Sequence, residues 1–179
     1  MKTRYGERID PASISFERLL PGPLERVWAF LTDGEKRKLW LAGGRTDLVP
    51  GGVVEFRFEN RSLTTADDHP PAKYKDMNGP IAFDGRVLAV EPMRRLEFTW
   101  PERDGGDSEV TFELEPAGDM VRLRITHRRI THRDDLLGAS AGWHAHLDIL
   151  EARLGGPKAD PFWASHTRLE EEYAARFGI

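Results

Sequence analysis

The chain contains no cysteine. That excludes disulfides, thiolate nucleophiles and cysteine-based zinc or iron–sulfur sites. No apolar run approaches the roughly 20 residues that span a bilayer, so no membrane contact is expected. The stretch Met1-Lys2-Thr3-Arg4-Tyr5-Gly6-Glu7-Arg8 lacks the apolar segment of a secretory signal. A cytoplasmic location is the expectation. No basic block stands out: 26 basic and 30 acidic residues are mixed along the chain, for a net charge of -4. Nothing electrostatic therefore points to nucleic acid. Ser15, Ser108 and Ser140 lie in no Gly-x-Ser-x-Gly turn. Gly51-Gly52 and Gly105-Gly106 are too short for phosphate loops and read as turn glycines. No cofactor fingerprint is legible. His144 and His146, two apart on a helix, diverge by about 200° and cannot share a metal ion.

What is present is a folding sequence. With 179 residues, 39% hydrophobic and 31% charged, the chain can build one soluble domain with a sizeable core. Period-two alternation marks strands over 13–20, 53–59, 83–90, 95–100, 109–115 and 120–127. Their short Gly-, Pro- and Asp-containing linkers predict an antiparallel meander. Each strand has one apolar and one polar face, as in a sheet covered on one side. Between the first two strands, Leu24, Val27, Trp28 and Leu31 share a helical face, and a second short helix carries Glu35 to Trp40. Arg57 and Arg86 alternate away from their apolar neighbours, toward solvent.

The most telling stretch follows the strands. Leu136, Ser140, Trp143, Leu147, Leu150 and Leu154 fall on one stripe of a long helix that Gly155-Gly156 ends. A last amphipathic helix places Phe162, His166, Leu169, Tyr173 and Phe177 on one face, with Asp160 expected as N-cap and Pro161 in the first turn. Residues 1–156 are thus expected to form the domain. Residues 157–179 form a helical extension that packs on it or on a second copy. Residues 60–79 are polar and carry Asp67, Asp68, His69, Pro70 and Pro71. They read as a solvated, structureless hairpin tip, with a lid as the alternative.

The order strand, two helices, six-strand meander, long helix resembles the helix-grip fold of the START-like (SRPBCC) superfamily, an α+β fold in which a curved antiparallel sheet wraps around a C-terminal helix. Several motifs are similar to those of the heat-shock-protein-90 ATPase activator-like family. They are Leu24-Glu25-Arg26-Val27-Trp28-Ala29-Phe30-Leu31-Thr32-Asp33, Lys38-Leu39-Trp40-Leu41, Pro50-Gly51-Gly52-Val53-Val54-Glu55-Phe56, Leu96-Glu97-Phe98-Thr99-Trp100 and Gly142-Trp143-His144-Ala145-His146-Leu147. The resemblance covers about residues 13–155. It implies a pocket between sheet and long helix, and single-domain members are described as binding or processing hydrophobic small molecules.

The expected ligand-binding residues are Trp28, Trp40, Phe56, Phe58, Trp100, Phe112, Trp143, His146, Leu147 and Leu150. Any one of the aromatics also fits an ordinary filled core. His146 reads either as a hydrogen-bonded residue at the core edge or as the polar handle that orients a ligand. His127 and His132 read as a solvated connection. The leading expectation is a binder of a hydrophobic or amphipathic small molecule. The alternatives are a cyclase- or hydratase-like enzyme using the same cavity, and a protein-interaction module, either a chaperone regulator or a homodimer through 160–177.

Overall fold

A computed structural model describes residues 4–179. Met1, Lys2 and Thr3, which open the N-terminal stretch considered above, lie outside the described residues. The alternating segments become strands β2 (Ser13–Pro21), β3 (Val53–Phe58), β4 (Ile81–Glu91), β5 (Arg95–Pro101), β6 (Asp107–Ala117) and β7 (Met120–Arg128). A further short strand, β1 (Glu7–Asp10), precedes them. All pair antiparallel in the order β1-β2-β7-β6-β5-β4-β3. The meander β3 to β7 therefore has five strands rather than the expected six. β1 escaped the alternation test because all four of its side chains are exposed.

The inward face follows the period of two. Phe16 lies opposite Ile125, and Leu20 opposite Val121. Phe112 pairs with both Leu96 and Ile125. All of these side chains are buried. Each contributes about 1.5–3 kcal/mol of transfer free energy. Arg57 and Arg86 are exposed, as their alternation predicts.

Between β2 and β3 lie α1 (Leu24–Thr32) and α2 (Gly34–Arg37). α2 is shorter than the expected Glu35 to Trp40. Asp33 caps it, accepting from the backbone N–H groups of Glu35 and Lys36 at 3.0 Å each. Arg37 then gathers the chain that follows. Its buried guanidinium donates to the carbonyls of Ala42 (2.8 Å), Gly43 (3.2 Å), Gly44 (3.1 Å) and Glu55 (2.5 Å), and to Thr46 Oγ1 (2.6 Å). It also lies 4.9 Å from the ring centroid of Phe56. Gly44 is required here: its φ is +106°, and a Cβ would stand 2.5 Å from the Glu55 carbonyl oxygen.

Two long helices complete the molecule: α3 (Arg133–Arg153) and α4 (Phe162–Phe177). The predicted stripe of α3 is buried throughout. Its opposite flank is buried too, because α4 packs along it. There Tyr173 accepts from the Gly6 N–H (2.8 Å), and its hydroxyl lies 2.9 Å from His144 Nδ1. Burial pushes His144 down to about 4. No described helix is long and apolar enough to cross a membrane.

Residues 60–79 are not a structureless tip. They form two short 3-10 turns, Asn60–Ser62 and Ala72–Met77, and lie against α4. Asp68 accepts from the backbone N–H groups of Trp163 (2.6 Å) and Ala164 (3.1 Å). The cap of α4 thus comes from a remote carboxylate and not from Asp160. Thr64 Oγ1 accepts from Phe162 N–H (3.1 Å), and the Trp163 indole donates to Asn78 Oδ1 (2.9 Å). Tyr74 stacks on Trp163 at 5.9 Å.

Candidate functional site

Trp143 sits where α3 crosses the inner face of β5 to β7. Its indole donates to His127 Nδ1 at 3.1 Å. An indole nitrogen can only donate, so Nδ1 is unprotonated and His127 carries its proton on Nε2. Nε2 lies 2.7 Å from Ser108 Oγ, which itself donates to the Trp100 carbonyl at 3.1 Å. The chain Trp143–His127–Ser108–Trp100 is satisfied end to end. Burial pushes His127 down to about 3, so it stays neutral. It is not the solvated linker residue that its neighbours Arg128 and Arg129 suggested.

This wall faces a cavity of about 680 Å³, within the range of small-molecule sites. The sheet contributes Phe58, Ile81, Phe83, Trp100 and His127; α3 contributes Gly138, Ala139, Gly142, Trp143 and His146. Phe162, Trp163 and His166 of α4 close one side, with Asn60, Tyr74 and Met77 beside them. Two glycines one helical turn apart keep α3 low here. A Cβ on Gly138 would come within 3.0 Å of the Tyr74 hydroxyl, and one on Gly142 within 4.0 Å of His166 Nε2.

Four of the ten sequence-predicted residues line this space: Phe58, Trp100, Trp143 and His146. Trp28, Trp40, Phe56, Phe112, Leu147 and Leu150 do not; they are buried in the core. The reason is that the interface between α3 and the sheet is filled along one half. Trp40 packs 6.5 Å from Phe112, with its indole donating to the Phe30 carbonyl at 2.7 Å. Phe56 is enclosed by Phe58, Phe83, Phe98 and Trp100 at 5.1–6.2 Å. His127, His166, Asn60 and Trp163 line the cavity without having been singled out for it. Two of them carried a signal. His127 continues the inward series Val121, Leu123, Ile125, and His166 lies on the stripe of Phe162, Leu169 and Tyr173.

His146 is hydrogen-bonded at the core edge and lines the cavity. Its Nδ1 lies 2.7 Å from the Trp40 carbonyl, which can only accept, so Nδ1 holds the proton. Burial pushes the ring down to about 4, leaving it neutral with Nε2 as a free acceptor. Its ring lies 4.6 Å from that of Phe162 and 6.3 Å from that of Phe58. Two other buried side chains on the cavity keep an atom without a partner: Asn60 Oδ1 and His166 Nδ1. Asn60 uses Nδ2 to donate to the Met77 carbonyl at 2.7 Å. Among the described residues, neither His127 nor His146 hydrogen-bonds a carboxylate, and no cluster of metal-binding side chains is found.

The mouth is charged but internally paired. Arg103 donates Nε to Asp135 Oδ2 at 2.8 Å, and its Nη2 pairs with the other oxygen. Lys73 and the Tyr74 hydroxyl both donate to Glu170, at 2.5 and 2.8 Å.

A curved seven-stranded antiparallel sheet closed over a long C-terminal helix, with a cavity between them, defines a helix-grip protein of the START-like class. Over residues 21–155 the sequence matches the family described as activator of Hsp90 ATPase homolog 1-like protein, and the chain belongs to that family. A comparison with curated proteins gave no match. Among solved structures, it is similar to the protein encoded by gene BPP1335 of Bordetella parapertussis. The two share 43% identity over 97% of this chain and 91% of that one, with a TM-score of 0.81. It shares its fold with CalU16 of Micromonospora echinospora, at 24% identity over 98% of this chain and 96% of that one, with a TM-score of 0.66.

Proposed function

We propose that this protein binds an apolar or amphipathic small molecule in the cavity between β3–β7, α3 and α4. One observation carries the reading: a space of about 680 Å³ walled by aromatic side chains is bordered by His146, whose Nδ1 is held by the Trp40 carbonyl and whose Nε2 bonds no protein group. A buried unpaired acceptor costs roughly 1–3 kcal/mol. A filled core removes such atoms, whereas a site keeps them for its ligand. The family's helix-grip architecture supports the same reading. Apolar contact with Phe58, Trp100, Trp143 and Phe162 supplies the affinity, and His146 sets orientation.

The test is native mass spectrometry of the purified protein before and after organic extraction, with tryptophan fluorescence beside it. Trp100, Trp143 and Trp163 line the cavity, so an apolar occupant quenches them. A discrete extra mass that leaves with the solvent, or saturable quenching by an apolar probe, supports the reading. A bare polypeptide whose fluorescence no apolar probe changes would sink it.

A further inference from the structure

Resting on the binding reading above, we infer that the cavity selects an uncharged, apolar-bodied ligand that presents a hydrogen-bond donor, a hydroxyl or N–H group, to His146. His146 lines the cavity, and its Nε2 is an acceptor because the Trp40 carbonyl holds the proton on Nδ1. Asn60 Oδ1 and His166 Nδ1 also lack a partner, but both are fully enclosed by protein atoms and out of a ligand's reach.

The Phe162 ring lies 4.6 Å from His146 and 6.0 Å from His166, so the acceptor stands on the α4 side of the cavity. His166 is close enough to His146 to disfavour its charge. Burial lowers both rings, so neither offers a cation to an anionic ligand. The mouth adds no free cation, since Arg103 and Lys73 are paired and the charged lining residues are three carboxylates against two cations. A carboxylate ligand would meet lone pairs and no partner. An ether of the same shape would leave the acceptor unpaired.

The experiment uses three probes with one tricyclic body: 9-phenanthrol, 9-methoxyphenanthrene and phenanthrene-9-carboxylate, each titrated calorimetrically into the full chain at pH 7. The expected result is that 9-phenanthrol binds roughly 10-fold or more tighter than the methoxy compound, the equivalent of one satisfied buried acceptor, and tighter still than the carboxylate. His146→Phe should shrink the phenanthrol advantage while leaving methoxyphenanthrene within a few-fold of its wild-type affinity. Methoxyphenanthrene or the carboxylate binding as tightly as phenanthrol overturns the donor assignment but keeps the binding site. Failure of all three to bind overturns the binding reading itself. The probe series on the unaltered chain decides the question even where a variant does not fold.

Discussion

The two halves of the interface between α3 and the sheet treat buried polarity in opposite ways. On the filled half, Arg37 is buried with a full charge, yet its guanidinium reaches four carbonyls and a hydroxyl. On the open half, Asn60 and His166 are neutral and still keep an atom unpaired. Satisfying a charge is the more demanding task, and the fold accomplishes it. Incomplete pairing is not confined to the cavity, since Arg18 Nε and Arg95 Nε are also enclosed without a partner. The difference teaches how to tell structure from site: a buried group that is tied down on all sides organises the chain, and one that borders the cavity with a spare lone pair, as His146 does, is available to something else.

Acid should erode both halves through the histidines, and this is the largest effect expected. His127, His144 and His146 titrate near 3 to 4 when folded and near 6.5 when unfolded. The unfolded chain then binds more protons between these values, so stability falls as pH drops below about 6.5. At pH 5 each histidine should withdraw about 2 kcal/mol relative to neutral pH. Urea titrations at pH 7 and pH 5 measure this. Equal midpoints would show that the rings are not held neutral.

Arg37→Met against Asn60→Leu sharpens the contrast directly. The first leaves four carbonyls without their donor and should cost about 3–5 kcal/mol, a fall of roughly 10 °C in Tm. The second removes an atom that has no partner and one modest bond, and should cost no more than about 1 kcal/mol. Similar losses in calorimetric melting would break the distinction between the two halves.

Asp68→Ala tests what holds the roof of the open half. Loss of the remote cap should cost about 1 kcal/mol. It should also speed amide exchange in residues 60–79 and at the start of α4 together, while β6 and β7 stay protected. The smallest effect has the opposite sign. Gly142 lies inside α3, and its nearest neighbour to a new Cβ is 4.0 Å away. Gly142→Ala should therefore raise stability by roughly 0.5–1 kcal/mol through helix propensity. The same methyl narrows the cavity and should weaken binding of a tricyclic probe.

The strands and α3 were legible because burial on one face writes a period into the sequence, as in Val121, Leu123 and Ile125. β1 was not, since its four exposed side chains write none. Nor was the order of 60–79, which depends on partners 85 and 95 residues away. A polar run has the same composition whether it is solvated or, like Asp68, capping a distant helix. The candidate site was half legible. Aromatic content pointed to Phe58, Trp100 and Trp143, but it could not say which rings touch each other and which border a void. That depends on two short residues of α3, Gly138 and Gly142, which leave room opposite Tyr74 and His166. His127 and His166 sat in apolar series that a reading by period alone could have placed on inner faces.

The cavity also straddles a boundary. The family's matched region ends at residue 155, while Phe162, Trp163 and His166 stand beyond it. The part of the chain that carries the family signature supplies a frame open on one side. The wall that completes it comes from a segment the signature does not constrain. Relatives can therefore inherit the same scaffold and differ in what it holds, with ligand preference free to diverge through the last eighteen residues while the sheet and α3 stay the same.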